Sequence, residues 1–381
     1  MRKVFLSTVA LLCALLAAGT AGADVFYTTE SGSSGALRTI AIESAVSIDK
    51  PSTLVSGLGT SLDVSTFGVD GGTRVMVTQR SATSNDTASI YIPGTWNSST
   101  DVTLTGTRNI HGTANAGNGK SFYTASRGTA SIVEYATGSY APTGRQYTYK
   151  PANGTAYAED VLVGSAAIYG LFSVQSGDAW RPGKLVWMDG QLSDKVQSFS
   201  SADMKPQAGE MTFLSDGRIA IAYRGNEGKG GIELFSGNTI LSVISGDVSG
   251  DQYGEIPTLC SDGDKGLYFV GTLSNDVSAL HRWKQDGTFS TLSSDLTGSS
   301  FKLAWDDSNK LLIMAMGSNI VIFKEDALFK TFDSLGGTVT SLALTASAGS
   351  TDSSSSNCSA LVPGSLALLL LPLALLRQRR K

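Results

Sequence analysis

A few polar side chains recur down this chain at intervals of about 40–50 residues. Asp63, His111, Glu159 (with Asp160 beside it), Glu210, Glu255 and Lys302 each open an apolar segment, and Arg80, Arg127 and Arg224 each close one. These nine recurring positions mark a candidate ligand-binding face, and two kinds of chemistry are open to them. Paired across neighbouring strands, Asp63 with Arg80 and Glu210 with Arg224 would form salt bridges along a rim, each contributing about 0–1 kcal/mol if exposed. Gathered round one axis, Asp63, Glu159, Glu210 and Glu255 would instead repel one another. A hard cation such as Ca²⁺, which takes several carboxylate oxygens, would relieve that repulsion.

Other side chains carry weaker signals. His111, in Asn109-Ile-His-Gly-Thr113, has the chemistry of a base but no adjacent nucleophile in a recognisable pattern. His281, in Leu280-His-Arg-Trp283, reads as a strand residue on a flank, and Cys260 as a small buried hydrophobe. Asp247-Val-Ser-Gly-Asp251 with Glu255 lacks the spacing of an EF-hand and reads as a solvated turn. Trp96 and the Trp180-Arg181-Pro182 segment place large side chains in expected loops, where aromatics favour binding surfaces. The sequence holds no phosphate-binding Gly loop, no GxSxG elbow and no HExxH.

The elements that must position these residues are short strands. Glu210–Phe213, Arg218–Tyr223, Gly231–Phe235 and Thr239–Val243 form four alternating runs joined by hairpin-type turns such as Ser215-Asp-Gly217. The unit repeats over Glu255–Leu292 and again over Phe301–Phe332, and its third strands end on an aromatic: Tyr135, Trp187, Phe235, Trp283 and Phe323. No helical period survives beyond one turn in this region. Four-stranded units of about 46 residues are the signature of β-propeller blades.

The ends of the repeat fix its number. Thr338–Leu344 is a first-type strand with nothing after it, while Phe26–Thr28, Leu37–Ile42 and Thr53–Val55 are second, third and fourth strands with nothing before them. Joining them completes one blade. The expected architecture is therefore all-β: a seven-bladed propeller of four-stranded blades, closed by the C-terminal strand.

Composition agrees with a folded, exported domain. The chain has 381 residues, of which 41 % are apolar and 8 % aromatic, enough to bury a large core and exclude a disordered chain. Two histidines exclude a multi-His metal site, and three cysteines exclude a disulfide scaffold. Residues 24–346 carry 23 Lys+Arg against 32 Asp+Glu, a balance that opposes nucleic acid or an anionic membrane as partner.

Both ends of the chain read as targeting segments. Residues 1–23 have a basic start at Arg2-Lys3, an apolar run, and a small-residue cleavage site at Ala21-Gly22-Ala23, the form of a secretory signal peptide cut after Ala23. Its removal takes Cys13 with it and leaves Cys260 alone in the domain. At the other end, residues 347–359 form a Ser-rich tether containing Asn357-Cys358. Residues 360–381 follow, with a 17-residue apolar run from Ala360 to Leu376 and a basic terminus, Arg377-Gln-Arg-Arg-Lys381. As a helix that run reaches roughly 26 Å, the lower limit for crossing a bilayer, and the basic cluster would hold it on the cytoplasmic side.

In its order of parts this tail resembles the tripartite C-terminal sorting signals of bacteria, nearest the Synerg-CTERM type, with Asn357-Cys358 and Leu368–Leu376 carrying the match. The resemblance implies a membrane-held precursor that sorting machinery processes or modifies near Cys358. An ordinary C-terminal anchor and a glycolipid-anchor signal are the alternatives; the latter usually ends apolar.

The expected protein is thus exported to the cell envelope and held there through residues 360–376. Its expected role is a binding module for a protein, glycan or small-molecule ligand, needing no cofactor. The alternative is a Ca²⁺-dependent hydrolase built on the four axial carboxylates. That arrangement would resemble the calcium-dependent lactonase-type propellers, in which a central ion polarises the substrate carbonyl.

Overall fold

The computed structural model describes residues 23–345, apart from 70–71, 166, 190–196, 200–204, 225–228, 237–238, 245–252, 274–276 and 298–299. Residues 1–22 of the expected signal peptide, the tail with Cys358 and residues 247–251 lie outside the described residues. The described residues form 29 strands, β1 to β29 in chain order, and no helix. They make seven antiparallel sheets, six of them built from four consecutive strands, and the molecule is a seven-bladed β-propeller.

One sheet alone breaks chain order, and it closes the ring. β29 (Thr338–Leu344) pairs antiparallel with β1 (Ala23–Ser31), which pairs with β2 (Ser34–Ser44). The outer side of β2 is shared by β3 (Ser47–Ile48) and β4 (Ser52–Leu58), so this blade has five strands where the repeat predicts four. The extra pair at Ser47–Ile48 returns the chain after a turn at 45–46 and seats Ile48 in the core.

Seven apolar clusters occupy the seven blade-to-blade interfaces among the described residues. The last interface is as well filled as the others: Val25, Tyr27 and Ile40 of the first blade pack against Leu311, Ile313 and Ile322 of the last. A blade lies between two neighbours, so its middle strands bury both faces. That is why runs such as Leu311–Met316 and Ser121–Ser126 are buried almost throughout rather than alternating. The outermost strands have solvent on one side, and Pro142–Thr148 is mainly exposed. The third-strand aromatics all join these clusters, and Cys260 is buried and in no disulfide, as their sequence context predicts. His281 is buried in its strand among Tyr253, Phe269 and Phe289.

The innermost strands are β5 (Leu62–Val69), β9 (Ile110–Asn115), β13 (Thr155–Val163), β17 (Ala208–Phe213), β21 (Tyr253–Ser261), β25 (Phe301–Asp306) and β29. All seven run in the same direction along the axis, so the residues that open them share one face of the disc. β29 ends at the opposite face, where the Thr345 N–H donates to the Asp24 carbonyl and the Asp24 N–H donates to the Thr345 hydroxyl. Both ends of the domain therefore leave from the face away from the strand starts.

Candidate functional site

The recurring arginines occupy equivalent places. Arg80, Arg127 and Arg224 each stand directly after a second strand, β6 (Gly72–Gln79), β10 (Ser121–Ser126) and β18 (Ile219–Tyr223). Each donates its backbone N–H to the residue just ahead of an inner strand: Ser61, Asn109 and Gln207 respectively, at 2.9, 3.1 and 3.2 Å. Those three acceptors all have left-handed backbone, with φ of 59°, 54° and 59°. One local turn, built three times, delivers an arginine to the same height on the same face.

The side chains then reach across blade boundaries. Arg127 pairs with Glu159 of the next blade at 3.1 Å, and Arg224 pairs with Glu255 of the next blade. The within-blade bridges expected from sequence, Asp63 with Arg80 and Glu210 with Arg224, are replaced. Strand register places Asp63 opposite Thr78, two residues short of Arg80, and Asp63 instead accepts a hydrogen bond from Ser341 of β29. Glu210 meets Lys302, two blades on, with Nζ 3.1 Å from Oε1.

The carboxylates consequently do not gather as a four-fold cation site. Glu159 is held by Arg127 and accepts from Ser173, Glu210 is held by Lys302, and Glu255 by Arg224. Irregular pairing between Glu255 and Thr258 lifts Glu255 out of the ring. The residue after Thr258, Leu259, donates its N–H to Glu210 at 3.4 Å, much as Met211 donates to Asp160 at 2.9 Å one blade earlier. Thr258 thus takes the ring position that the sequence suggests for Glu255. A Ca²⁺ ion drawing on Asp63, Glu159, Glu210 and Glu255 would have to displace three bases, so this donor set does not fit it. Among the described residues no three His, Cys, Asp or Glu side chains share metal-ligand geometry.

What the ring does build is a cavity of about 330 Å³ at the strand-start face. Five consecutive blades contribute, and His111, Arg127, Glu159, Glu210, Arg224 and Lys302 all line it. Glu255 lies at its edge through Ile256 and Pro257, whereas Asp63 and Arg80 stand outside the lining. Sequence reading missed Ser173 and Gln207, which have no motif around them and enter only because their strand and turn face the axis. Of the two tryptophans expected in loops, Trp180 stands in a strand and lines the cavity, whereas Trp96 packs on Phe26 and Tyr91 in an interblade cluster.

Trp180 opens β15 (Ala179–Asp189), the partner of β14 (Ala167–Ser176) in the β13 blade. Its indole leans on Tyr157, ring centres 5.8 Å apart, and the Arg127 guanidinium lies over the Tyr157 ring, 5.0 Å from its centre. The Tyr157 hydroxyl donates to Gln175, which fixes its ring. Arg127 is therefore clamped by a carboxylate and an aromatic face together.

Local electrostatics set the protonation states. Burial, with the positive charges of Arg127, Arg80 and Lys302, pushes His111 down to about 2, so it is a neutral imidazole, 3.7 Å from Glu159. Burial raises Glu159 against the pull of Arg127. The charge of Glu210 raises Lys302. Beneath them Asp160 is buried, accepts from Val161 and Met211, and is pushed up to about 8 chiefly by burial. Gly112 makes this packing possible: a Cβ there would stand 2.4 Å from Asp160 Oδ1.

A pH prediction follows from His111. Its folded value lies below the ordinary 6.5, so the unfolded chain takes up a proton first as pH falls. That contribution to stability is complete above about pH 6.5 and at pH 5 is smaller by about 2 kcal/mol. The variant His111→Asn should gain on the wild type by roughly 3 °C in melting temperature between pH 7 and pH 5, the shift expected for a domain of this length. A difference that stays constant with pH would refute the neutral assignment. Asp160 acts with the opposite sign, its contribution fading as pH rises through about 8.

No protein-family model and no curated protein sequence matches the chain. Solved structures match by shape. A candidate 6-phosphogluconolactonase from Bacteroides fragilis superposes with a TM-score of 0.60 at 14 % identity, covering 86 % of this chain and 98 % of its own. Hydrazine synthase from Kuenenia stuttgartiensis gives 0.55 at 11 % identity over 71 % of this chain and 79 % of its own. A functionally unknown protein from Desulfotomaculum acetoxidans gives 0.51 at 12 % identity over 83 % and 98 %. At such identities the likeness is one of fold.

Proposed function

We propose that this chain is an exported binding module that takes a small polar ligand into the cavity at the strand-start face of its propeller. The observation that carries this reading is convergence: side chains from five blades, with no shared local motif, line one cavity at the axis. Cavities of this size and position on a rigid scaffold are the usual form of a ligand site. Its polar groups are held in place by one another, Arg127 by Glu159 and Tyr157, Lys302 by Glu210. A ligand would therefore meet preorganised partners.

The hydrolase alternative is less well supported. A general base works best with a pKa near the working pH. His111, at about 2, is far too weak a base, and the carboxylates are engaged with cations.

The placement of the chain ends supports the cell-envelope part of the proposal. A tail running from Thr345 to an anchor at 360–376 would start on the face opposite the cavity, so an anchored domain would present its cavity outward.

The test is a melting-temperature screen of the full-length chain against a library of polar metabolites, including lactones. A ligand at a hundredfold its Kd stabilises by about 2.7 kcal/mol. At least one compound should raise the melting temperature in the wild type and fail to do so in Trp180→Ala. Lactone hydrolysis above background, abolished in His111→Asn, would replace the module with an enzyme.

A further inference from the structure

We infer that the ligand is a neutral sugar ring, seated against Trp180 and read by the paired charges of the cavity. This rests on the reading of the cavity as a binding site and names its ligand class. Three features converge on it.

The first is charge balance. Arg127, Arg224 and Lys302 line the cavity, and each is already matched by a carboxylate, Glu159, Glu255 and Glu210. A phosphate or carboxylate ligand would compete with those partners for every cation. To take Arg127 it would strip a largely buried Glu159 of its counter-ion. A neutral ligand meets no such penalty. Each ion pair keeps spare N–H donors and spare oxygen lone pairs side by side, and a hydroxyl, which is donor and acceptor at once, satisfies both.

The second is the aromatic wall. Trp180 is backed by Tyr157, and Tyr157 in turn by Arg127, so the indole is braced as a flat apolar face beside the charged floor. Ile256 and Pro257 line the cavity from the β21 blade, with Gln207, Gly209 and Glu210 of the intervening blade between them. A pyranose has this same division, with C–H groups on its ring face and hydroxyls at its edge. A purely apolar ligand would leave the cavity's charged groups desolvated and unanswered.

The third is the absence of a reactive group aimed at such a ring. Paired carboxylates that cleave glycosidic bonds need one free acid and one free base or nucleophile. Here Glu159 and Glu210 are each bonded to a cation on a different blade, an arrangement that binds hydroxyls without cleaving the ring's linkage.

The experiment titrates full-length protein with two sets of probes and follows tryptophan fluorescence and saturation-transfer NMR. The neutral set holds methyl glucoside, methyl galactoside, N-acetylglucosamine and maltose; the anionic set holds gluconate and glucose 6-phosphate. At least one neutral sugar should bind saturably, and more tightly than its anionic counterpart. Trp180→Ala and Glu210→Gln should each weaken it by about tenfold or more, the scale of one lost stacking face or one charge-assisted hydrogen bond. Trp180→Phe should stay within about threefold, and melting curves establish that each variant is folded.

Preference for the anionic set overturns the neutral-sugar inference and leaves the binding module standing. So does a non-sugar compound from the metabolite screen that depends on Trp180. Neutral-sugar binding indifferent to both Trp180→Ala and Glu210→Gln places the sugar elsewhere and overturns the inference. If neither probe set nor the library binds in a Trp180-dependent way, the sugar inference and the module reading fall together.

Discussion

Ending the chain after Gly337, so that β29 is never made, is expected to abolish the cooperative melting of the domain. β29 is the innermost strand of the closing blade, and its loss removes every backbone bond between Val25–Glu30 and their partners on β29. It also removes Val339 and Leu342 from one interblade cluster and Ala343 from the next. Three buried side chains account for several kcal/mol on their own, and β1 becomes an open strand edge facing the axis. A closed ring cannot lose one inner strand and keep its geometry, because each blade is positioned by two neighbours. Ending the chain after Thr345 keeps all of these contacts and should leave a single sharp transition. If the Gly337 truncation melts cooperatively within about 5 °C of the full-length chain, closure by β29 is not what holds the ring.

The second large effect is expected at Arg127. In Arg127→Met the Glu159 carboxylate keeps Ser173 but loses the charge that offsets its burial. Stripping one partner from a buried pair costs about 3–5 kcal/mol. With Arg127 itself part-exposed, a loss near 3 kcal/mol is expected, roughly 4–5 °C in melting temperature for a domain of this length. Burial already raises Glu159, so without Arg127 it takes up a proton more readily. The loss should therefore shrink as pH falls. The double variant Arg127→Met with Glu159→Gln carries no charge to bury and should recover most of the stability. Equal melting of Arg127→Met and wild type at pH 7, with no gain from Glu159→Gln, would show that the pair is not effectively buried.

How much of this was legible in the residues depends on how local each signal is. The blade repeat is written in short-range pattern: hairpin turns, apolar runs and a third-strand aromatic that always ends against a neighbouring blade. The closing strand was legible because Thr338–Leu344 is a first strand with no successors and Phe26–Thr28 a second strand with no predecessor. The arginines after the second strands were legible too, since in three repeats an arginine closes the second apolar run.

The partners of those arginines were not. A sequence comparison within one blade sets Glu210 beside Arg224, but in the ring Arg224 reaches Glu255 of the next blade and Glu210 is left to Lys302. Glu255 itself misses the ring because the β21 ladder slips by a residue before Thr258, and nothing in Glu255-Ile-Pro-Thr-Leu259 fixes where the slip falls. Trp96 and Trp180 look alike in sequence, each a tryptophan in an expected loop, yet one fills an interblade cluster and the other lies in a strand and lines the cavity. By itself, then, the sequence determined the strands, the number of blades and the strand that closes them, because hydrogen-bonded hairpins and burial act between near neighbours in the chain. Only the tertiary structure decided which charges meet and what cavity they enclose, because those contacts join residues from different blades, and their distances are set by the closure of the whole ring.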